Sequence, residues 1–481
     1  MDDPARKLTP ANENPWYVLM TLYGEQEGDE IDWGLHEKNR RAWNAWAGQV
    51  LNDEQRQEAA GAVGIKVGEL WPATGGFLNV GQIYEKRKKA LASKGFDLPA
   101  IPKVESAVDL SNTEFSEAVV LDKFVFTHEV SFEDSRFAKA ANFHLACFDR
   151  TAKFNATEFH GGVSFRRTRF KASALFRDLM ALHWAFFTKA SFLGDSTFFR
   201  AKLSGEVSFK DSTFSREASF YGSTFLNGAT FLRTTFCGSV DFDYSSFEHL
   251  AAFYGASFSG FAYFGEATFG EFEACEVLFS ESQFEKPTTF RNAHFSSHYP
   301  DFSGAVLHDK TTFSARDDLW PSGPQDDPEQ ARASCAVIRH ALGKQGLPEE
   351  EHFFFRREMG FAGQIGPWWQ RLPYRLFGAV SGYGHSIELP LRWLMLTFGL
   401  PFGIYLAALQ EGPLGADDAF RALGLCFSNT FRFFGFQRLY FGEFLQSADQ
   451  LIAGLASAQT VFGYTFLFFL GLGLRTRFRL R

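Results

Sequence analysis

Residues 218–236 read ASFYGSTFLNGATFLRTTF. Within them Phe220, Phe225, Phe231 and Phe236 recur at steps of five, six and five. Neither a helical period of 3.6 nor a heptad gives that alternation. Two residues before these rings stand Ala218, Ser223, Ala229 and Thr234, all small or β-branched. On an extended backbone residues i and i−2 point to the same side, so each short unit sends one bulky and one small side chain inward.

Outward from this stretch the same alternation holds toward both ends. Upstream it occupies Leu110, Phe115, Leu121, Phe126, Phe132, Phe137, Phe143, Phe148, Phe154, Phe159, Phe165, Phe170 and Phe176. It resumes at Phe187, Phe192, Phe198, Leu203, Phe209 and Phe214, then continues through Phe242, Phe247, Phe253, Phe258, Phe264 and Phe269. Ala181 and, at the end, Cys275 read as slots that deviate without loss of register. After Cys275 the register slips, recovers at Phe284, Phe290 and Phe295, and slips again near Tyr299-Pro300 before Phe302 and Phe313. These irregularities read as bulges in the last coils. The physical reading is a solenoid in which each unit forms one face and then turns. Every coil is stable because a neighbour covers it. Phe makes up 59 of 481 residues, as a repeated aromatic slot requires.

Units of this kind resemble the pentapeptide-repeat family in a Phe-rich variant. The resemblance implies a mainly β fold, a right-handed quadrilateral β-helix with four units and 22 residues per coil. At about 4.8 Å between paired strands, residues 106–315 then form about nine coils and a rod roughly 45 Å long.

Residues 1–105 read as an α-rich cap over the solenoid end, because open strand edges need covering. HEKNRRAWNAWAGQVL, 36–51, places Trp43, Trp46, Val50 and Leu51 on or near one helix face. No apolar stretch opens the chain, so no cleaved secretory signal is expected. Residues 316–365 read as a Pro- and Asp-rich linker followed by joint helices. Asp327-Pro328-Glu329-Gln330 carries the marks of a helix start, and a second helix is expected from Pro348. Glu349-Glu350-Glu351-His352 reads as a polar first turn.

Residues 366–481 read as a membrane domain with spans at about 389–410 and 451–474, each long enough for a ~30 Å hydrocarbon layer. Gln459 is the strongly polar residue within the second. Trp368, Trp369 and Tyr374 with Arg371 and Arg375 read as an interfacial segment. Arg371, Arg375, Arg392, Arg475, Arg477, Arg479 and Arg481 flank the outer ends. That bias predicts a two-pass protein of the cytoplasmic (inner) membrane with both termini in the cytoplasm.

The connection at 419–445 is too apolar for a plain loop and reads as a re-entrant or amphipathic segment. Such a layout belongs to two-helix cation channels. SGYGHSIELPLRWL, 381–394, and the closing RTRFRL resemble the channel-like C-termini of many bacterial pentapeptide-repeat proteins. A potassium filter would need a TVGYG-like strand between the spans. That place holds Asn429-Thr430-Phe431-Arg432 instead, while Gly382-Tyr383-Gly384 precedes the first span. Asn429, Thr430, Arg432 and Arg438 are therefore the candidate pore residues.

No P-loop, GxSxG elbow, HExxH or dinucleotide fingerprint is present, and no metal-spaced His/Cys group, so neither an enzyme nor a cofactor is expected. The five cysteines stand apart, without CxxC pairs, as in a reducing compartment. The net charge of −8 does not suggest a nucleic-acid binder. Charge along the solenoid is uneven, however. Residues 136–216 carry 14 Lys/Arg against 6 Asp/Glu, whereas 217–285 carry 10 acidic residues against Arg233 alone. The leading expectation is a membrane-anchored scaffold that offers a solenoid face to a protein partner. The alternative is a homo-oligomeric channel gated by the solenoid. DNA mimicry is a third class, weakened by the basic half and the membrane tail.

Overall fold

The computed structural model describes residues 7–28, 30–71, 80–272, 274–323, 325–410 and 415–478. Arg479 and Arg481, two of the arginines used for orientation, lie outside the described residues. The chain divides into two compact units. One holds the chain up to Gln325 with Val337–Glu351; the other holds Asp326–Ala336 and the chain from His352 onward.

The first unit is built on a four-sided parallel β-solenoid of about nine turns. Its strands are mostly two residues long, since a unit of five or six has room for one extended pair between corners. They stack into two ten-stranded and two eight-stranded sheets, one sheet per side. In chain order the sides are face 1 (from Thr113–Phe115), face 2 (from Val119–Val120), face 3 (from Val125–Phe126) and face 4 (with Val130–Ser131, which pairs with its first strand Val108–Asp109). Pairing is in register with an offset of 22 residues, as in Ala152 with Val130 and Ala174.

That register puts ring over ring. Phe132, Phe154 and Phe176 are stacked at 4.9 and 5.0 Å, with planes 9° and 8° apart. Rings on opposite sides meet edge to face, as Phe132 does with Phe143 at 5.6 Å and 84°. Both arrangements suit the ring quadrupole. Several of the small inward slots are satisfied as well as filled. Thr157, Thr168 and Thr234 donate their hydroxyls to the carbonyls of Phe132, Phe143 and Phe209 at 2.7–2.8 Å. These hydroxyls sit in the core without an orphaned polar group, whereas the buried Ser196 and Thr311 hydroxyls have no partner among the described residues.

The five- and six-residue steps use different corners. Each five-residue step carries a left-handed residue: Asn112, Lys123, Asp134, Leu145, Ala156 and Arg167 have φ between 50° and 61°, and the series recurs every eleven residues. In several six-residue corners a glycine passes so close to the preceding coil that a Cβ would strike backbone. At Gly260 it would lie 2.3 Å from the Gly238 carbonyl.

Ala181 holds its slot, paired with Phe159 and Leu203. Cys275 does not. Glu276–Leu278 pairs with Leu250–Ala252 at an offset of 26, and Phe279 lies over Phe253 at 4.8 Å. The offset grows by four residues, with Phe272 exposed before the strand, because a phenyl ring completes the stack and a thiol does not. A second slip of one residue follows, after which Phe302 and Phe313 stack on Phe279 and Phe290.

The amino-terminal end is covered by α1 (Pro15–Met20), α2 (Trp33–Ala47), α3 (Asp53–Val63) and α4 (Val80–Ala92). Thr9–Pro10 adds a strand to face 1, and Tyr17 packs edge-on against Phe115. Trp43 rests on Phe124 and Phe126. Asn44 does the work of a missing strand. Its amide donates to the Lys123 carbonyl at 3.0 Å and accepts from the Val125 N–H at 2.9 Å. Trp43 and Trp46 are buried as expected, but α2 ends at Ala47 and Val50 is exposed. α3 lies along face 3, where Ala59, Ala60 and Val63 cluster with Val125 and Cys147.

At the other end, part of the expected linker is structural. Trp320 packs against Phe295, Tyr299 and Phe313 and donates its indole N–H to the Ser314 carbonyl at 2.9 Å. α5 (Pro328–Gln345) starts where expected, with the Asp327 carboxylate accepting from the Gln330 N–H at 3.0 Å. α6 is Pro348–Ala362, with Glu349, Glu350 and Glu351 in its first turn.

The second unit continues with α7 (Trp368–Ser381), α8 (Glu388–Leu409), α9 (Ala416–Thr430), α10 (Phe436–Tyr440), α11 (Gly442–Ser447) and α12 (Gln450–Phe478). α8 and α12 are long and apolar enough to cross a membrane, and most of their surface is not covered by protein. On α7, Trp368, Trp369, Leu372 and Leu376 are exposed.

Candidate functional site

Polar side chains gather at α9 and on face 4 of the solenoid. The first is α9, a half-length helix that packs against both α8 and α12. Tyr405, Leu409, Ala422, Leu425 and Cys426 form its apolar seam with α8. Its C-terminal end reaches Gly463, where a Cβ would sit 3.0 Å from the Thr430 carbonyl. Gly463 lies thirteen residues into α12, about 20 Å along it at 1.5 Å per residue. The chain then turns back through Arg432–Phe434, α10 and α11 to the start of α12. The 419–445 segment is thus a helical hairpin folded against the two long helices.

Asn429 and Thr430 come together inside this hairpin, fully buried. Asn429 donates to the Tyr405 hydroxyl at 3.2 Å and to Gln459 Oε1 at 3.1 Å, and its Oδ1 accepts from Gln437 at 2.7 Å. The Tyr405 hydroxyl donates to Gln459 Oε1 at 3.0 Å. Gln459 Nε2 lies within donating distance of the Thr397 and Cys426 carbonyls and of Thr430 Oγ1, at 3.1–3.3 Å. The amides are mutually satisfied, which converts costly buried polar groups into a specific clasp. Arg432 and Arg438 are not part of it; both are exposed beyond the helix end. Tyr405 and Gln437 were not among the nominated residues. The isolated polarity of Gln459 was the signal that could have led to them. Gly382-Tyr383-Gly384 lies between α7 and α8 with φ of 55°, 59° and 84°. Gly382 donates its N–H to the Gly378 carbonyl, so the triplet closes a helix.

The second region is face 4 of the solenoid. A shallow cavity of about 710 Å³ runs across several coils, lined among others by Arg177, Asp195, Phe199, Glu217, Asp241 and Tyr263. Burial raises the Asp241 carboxyl from its ordinary value, against the opposing pull of the Asp243 N–H. Burial likewise raises Asp243, which accepts from the Gly265 N–H. Aromatic pairs border these acids: Tyr221 with Tyr244 at 5.3 Å, and Phe261 with Tyr263 at 6.4 Å. In the basic half many cations are already engaged along the coils. Arg136 meets Glu158 at 2.8 Å, Lys171 meets Asp149 at 3.0 Å and Arg200 meets Asp178 at 3.3 Å. The arrangement sets partly buried carboxylates beside exposed aromatic rings.

Residues 198–246 match the family model described as Pentapeptide repeats (9 copies), so the solenoid is built of pentapeptide repeats. Neither the curated proteins nor the solved structures yield a match.

Proposed function

We propose that this pentapeptide-repeat chain is a membrane-anchored scaffold, its solenoid presenting face 4 to a protein partner and α8 and α12 holding it at the bilayer. The observation that carries the reading is the closure of both solenoid ends. Asn44 and Trp43 occupy the first coil's edge and Trp320 covers the last, so recognition is left to the sides. Of the sides, face 4 combines partly buried carboxylates with exposed aromatics, the composition of an interaction surface for a basic partner. The arginines at the outer ends of the two spans favour a cytoplasmic solenoid. The test is proximity labelling in native membranes by the full chain and by the Asp241→Lys, Tyr263→Ala variant. The reading requires a labelled protein that the variant loses, and an identical labelling pattern would overturn it.

A second reading rests on one observation: α9 is a half-helix ending against the middle of α12. That is how a pore helix is seated in two-helix channel subunits, and it favours a homo-oligomeric channel-like assembly. Purified protein in planar bilayers, sized by native mass spectrometry, decides it. A silent monomer would remove this reading.

A further inference from the structure

The second unit contains a cavity of about 710 Å³ that neither reading uses. It is lined by Arg356 of α6, Arg375 of α7 and Arg477 of α12, by His352 and His385, and by Ser386 through Leu389 at the start of α8. Three arginines from three helices converge here. Glu388 is the acidic side chain among the described lining residues, and Arg392 engages it at 3.3 Å. The start of a 22-residue helix adds the positive end of its dipole. The imidazoles of His352 and His385 stack at 4.0 Å, and His352 Nε2 is buried with no hydrogen-bond partner among the described residues.

The packing that builds the cavity is close. A Cβ on Gly473 would lie 2.7 Å from the Ser386 carbonyl, so only glycine lets α12 approach the α7–α8 loop. One turn further along α12, Arg477 reaches the cavity. The cavity also sits at the ends of α8 and α12 and beside α7, whose Trp368, Trp369, Leu372 and Leu376 are exposed. That is the level at which headgroups meet a bilayer surface.

We propose that this cavity binds a phosphate group, held by Arg356, Arg375 and Arg477, with an anionic phospholipid headgroup as its source. Guanidinium groups match phosphate oxygens in geometry and charge. Basic pockets between membrane helices take such headgroups. Burial, with the electrostatic effect of His385 and Arg356, lowers His352 to about 4. The proposal rests on the membrane reading for the source of the phosphate, not for the pocket.

The experiment follows thermal unfolding of the full chain in a neutral detergent, titrated with phosphatidylglycerol, phosphatidylcholine or inorganic phosphate. Phosphatidylglycerol should give a saturable stabilisation that phosphatidylcholine does not. Arg375→Gln and Arg477→Gln should each weaken it about tenfold, the loss of one charge-assisted hydrogen bond, and Glu388→Gln should strengthen it. A saturable, arginine-dependent response to inorganic phosphate alone keeps the phosphate site and assigns it a soluble ligand. No response to any anion, or one unchanged in all three variants, overturns the proposal. Release of the protein by carbonate, with the arginine-dependent response intact, would sink the membrane reading and leave the pocket standing.

Discussion

Asn429, at the foot of α9, donates its side-chain amide to Gln459, in the middle of α12, at 3.1 Å. Tyr405 of α8 shares the same acceptor at 3.0 Å, so one oxygen ties three helices together. Gln459→Leu removes the acceptor and leaves Asn429 and Tyr405 each short of a partner. A loss of about 1–3 kcal/mol for a buried unsatisfied group is expected, read as a lower Tm of the full chain in detergent. A Tm unchanged by Gln459→Leu would show that the clasp does not hold the hairpin.

At the first coil, Asn44→Ala strands the Lys123 carbonyl and the Val125 N–H together. The expected cost is about 2 kcal/mol or more, since each group loses a buried hydrogen bond. Hydrogen exchange should rise at Val125 and in the coil around it, while the distant coils near Phe236 stay protected.

Asp122 is the pH-sensitive link between cap and solenoid. Burial pushes its carboxyl up, but the hydrogen bond from His144 at 2.7 Å and the nearby His36 outweigh that and hold it far below the usual range. Its folded value is lower than its unfolded value of about 3.9, so its contribution is present above about pH 4. That contribution is lost as pH falls toward the folded value. Acid unfolding of the Asp122→Asn variant should therefore lack part of the stability decline that wild type shows below about pH 4.

The corners make opposite predictions for glycine. Gly260→Ala drives a Cβ to 2.3 Å from backbone of the neighbouring coil. It should cost about 1–3 kcal/mol, as overpacking does. Arg167→Gly removes a side chain from a residue held at φ 56°. It should stabilise by up to about 1 kcal/mol, the relief of the left-handed strain less the added freedom of the unfolded chain. Thermal unfolding of the two variants beside wild type checks both signs.

Thiol chemistry separates the solenoid cysteines. Burial pushes the Cys147 and Cys275 thiols up to about 12, whereas Cys237 is exposed. A brief maleimide pulse on the native chain should modify Cys237 and spare the other two, because the thiolate is the reacting species. Equal modification, located by peptide mass, would mean that the coils around Cys147 and α3 open readily.

The solenoid was legible in the order of residues because its cause is local and repeated. A ring every five or six positions, with a small residue two before it, states the inward side at each step, and stacking does the rest. The helix starts at Pro328 and Pro348 and the two apolar helices were legible for the same reason, since caps and hydropathy act over short distances. What depends on distant partners was not. Cys275 kept the count of eleven yet lost its slot, because Phe253 is better covered by Phe279 than by a thiol. Asn44 looks like any polar helix residue until folding places it against the first coil. His352 and Arg356 lie one turn apart on α6, but Arg375 and Arg477 stand too far along the chain for the sequence to join them to that pair. Only the packing of α12 against the α7–α8 loop makes a single electrostatic environment of them.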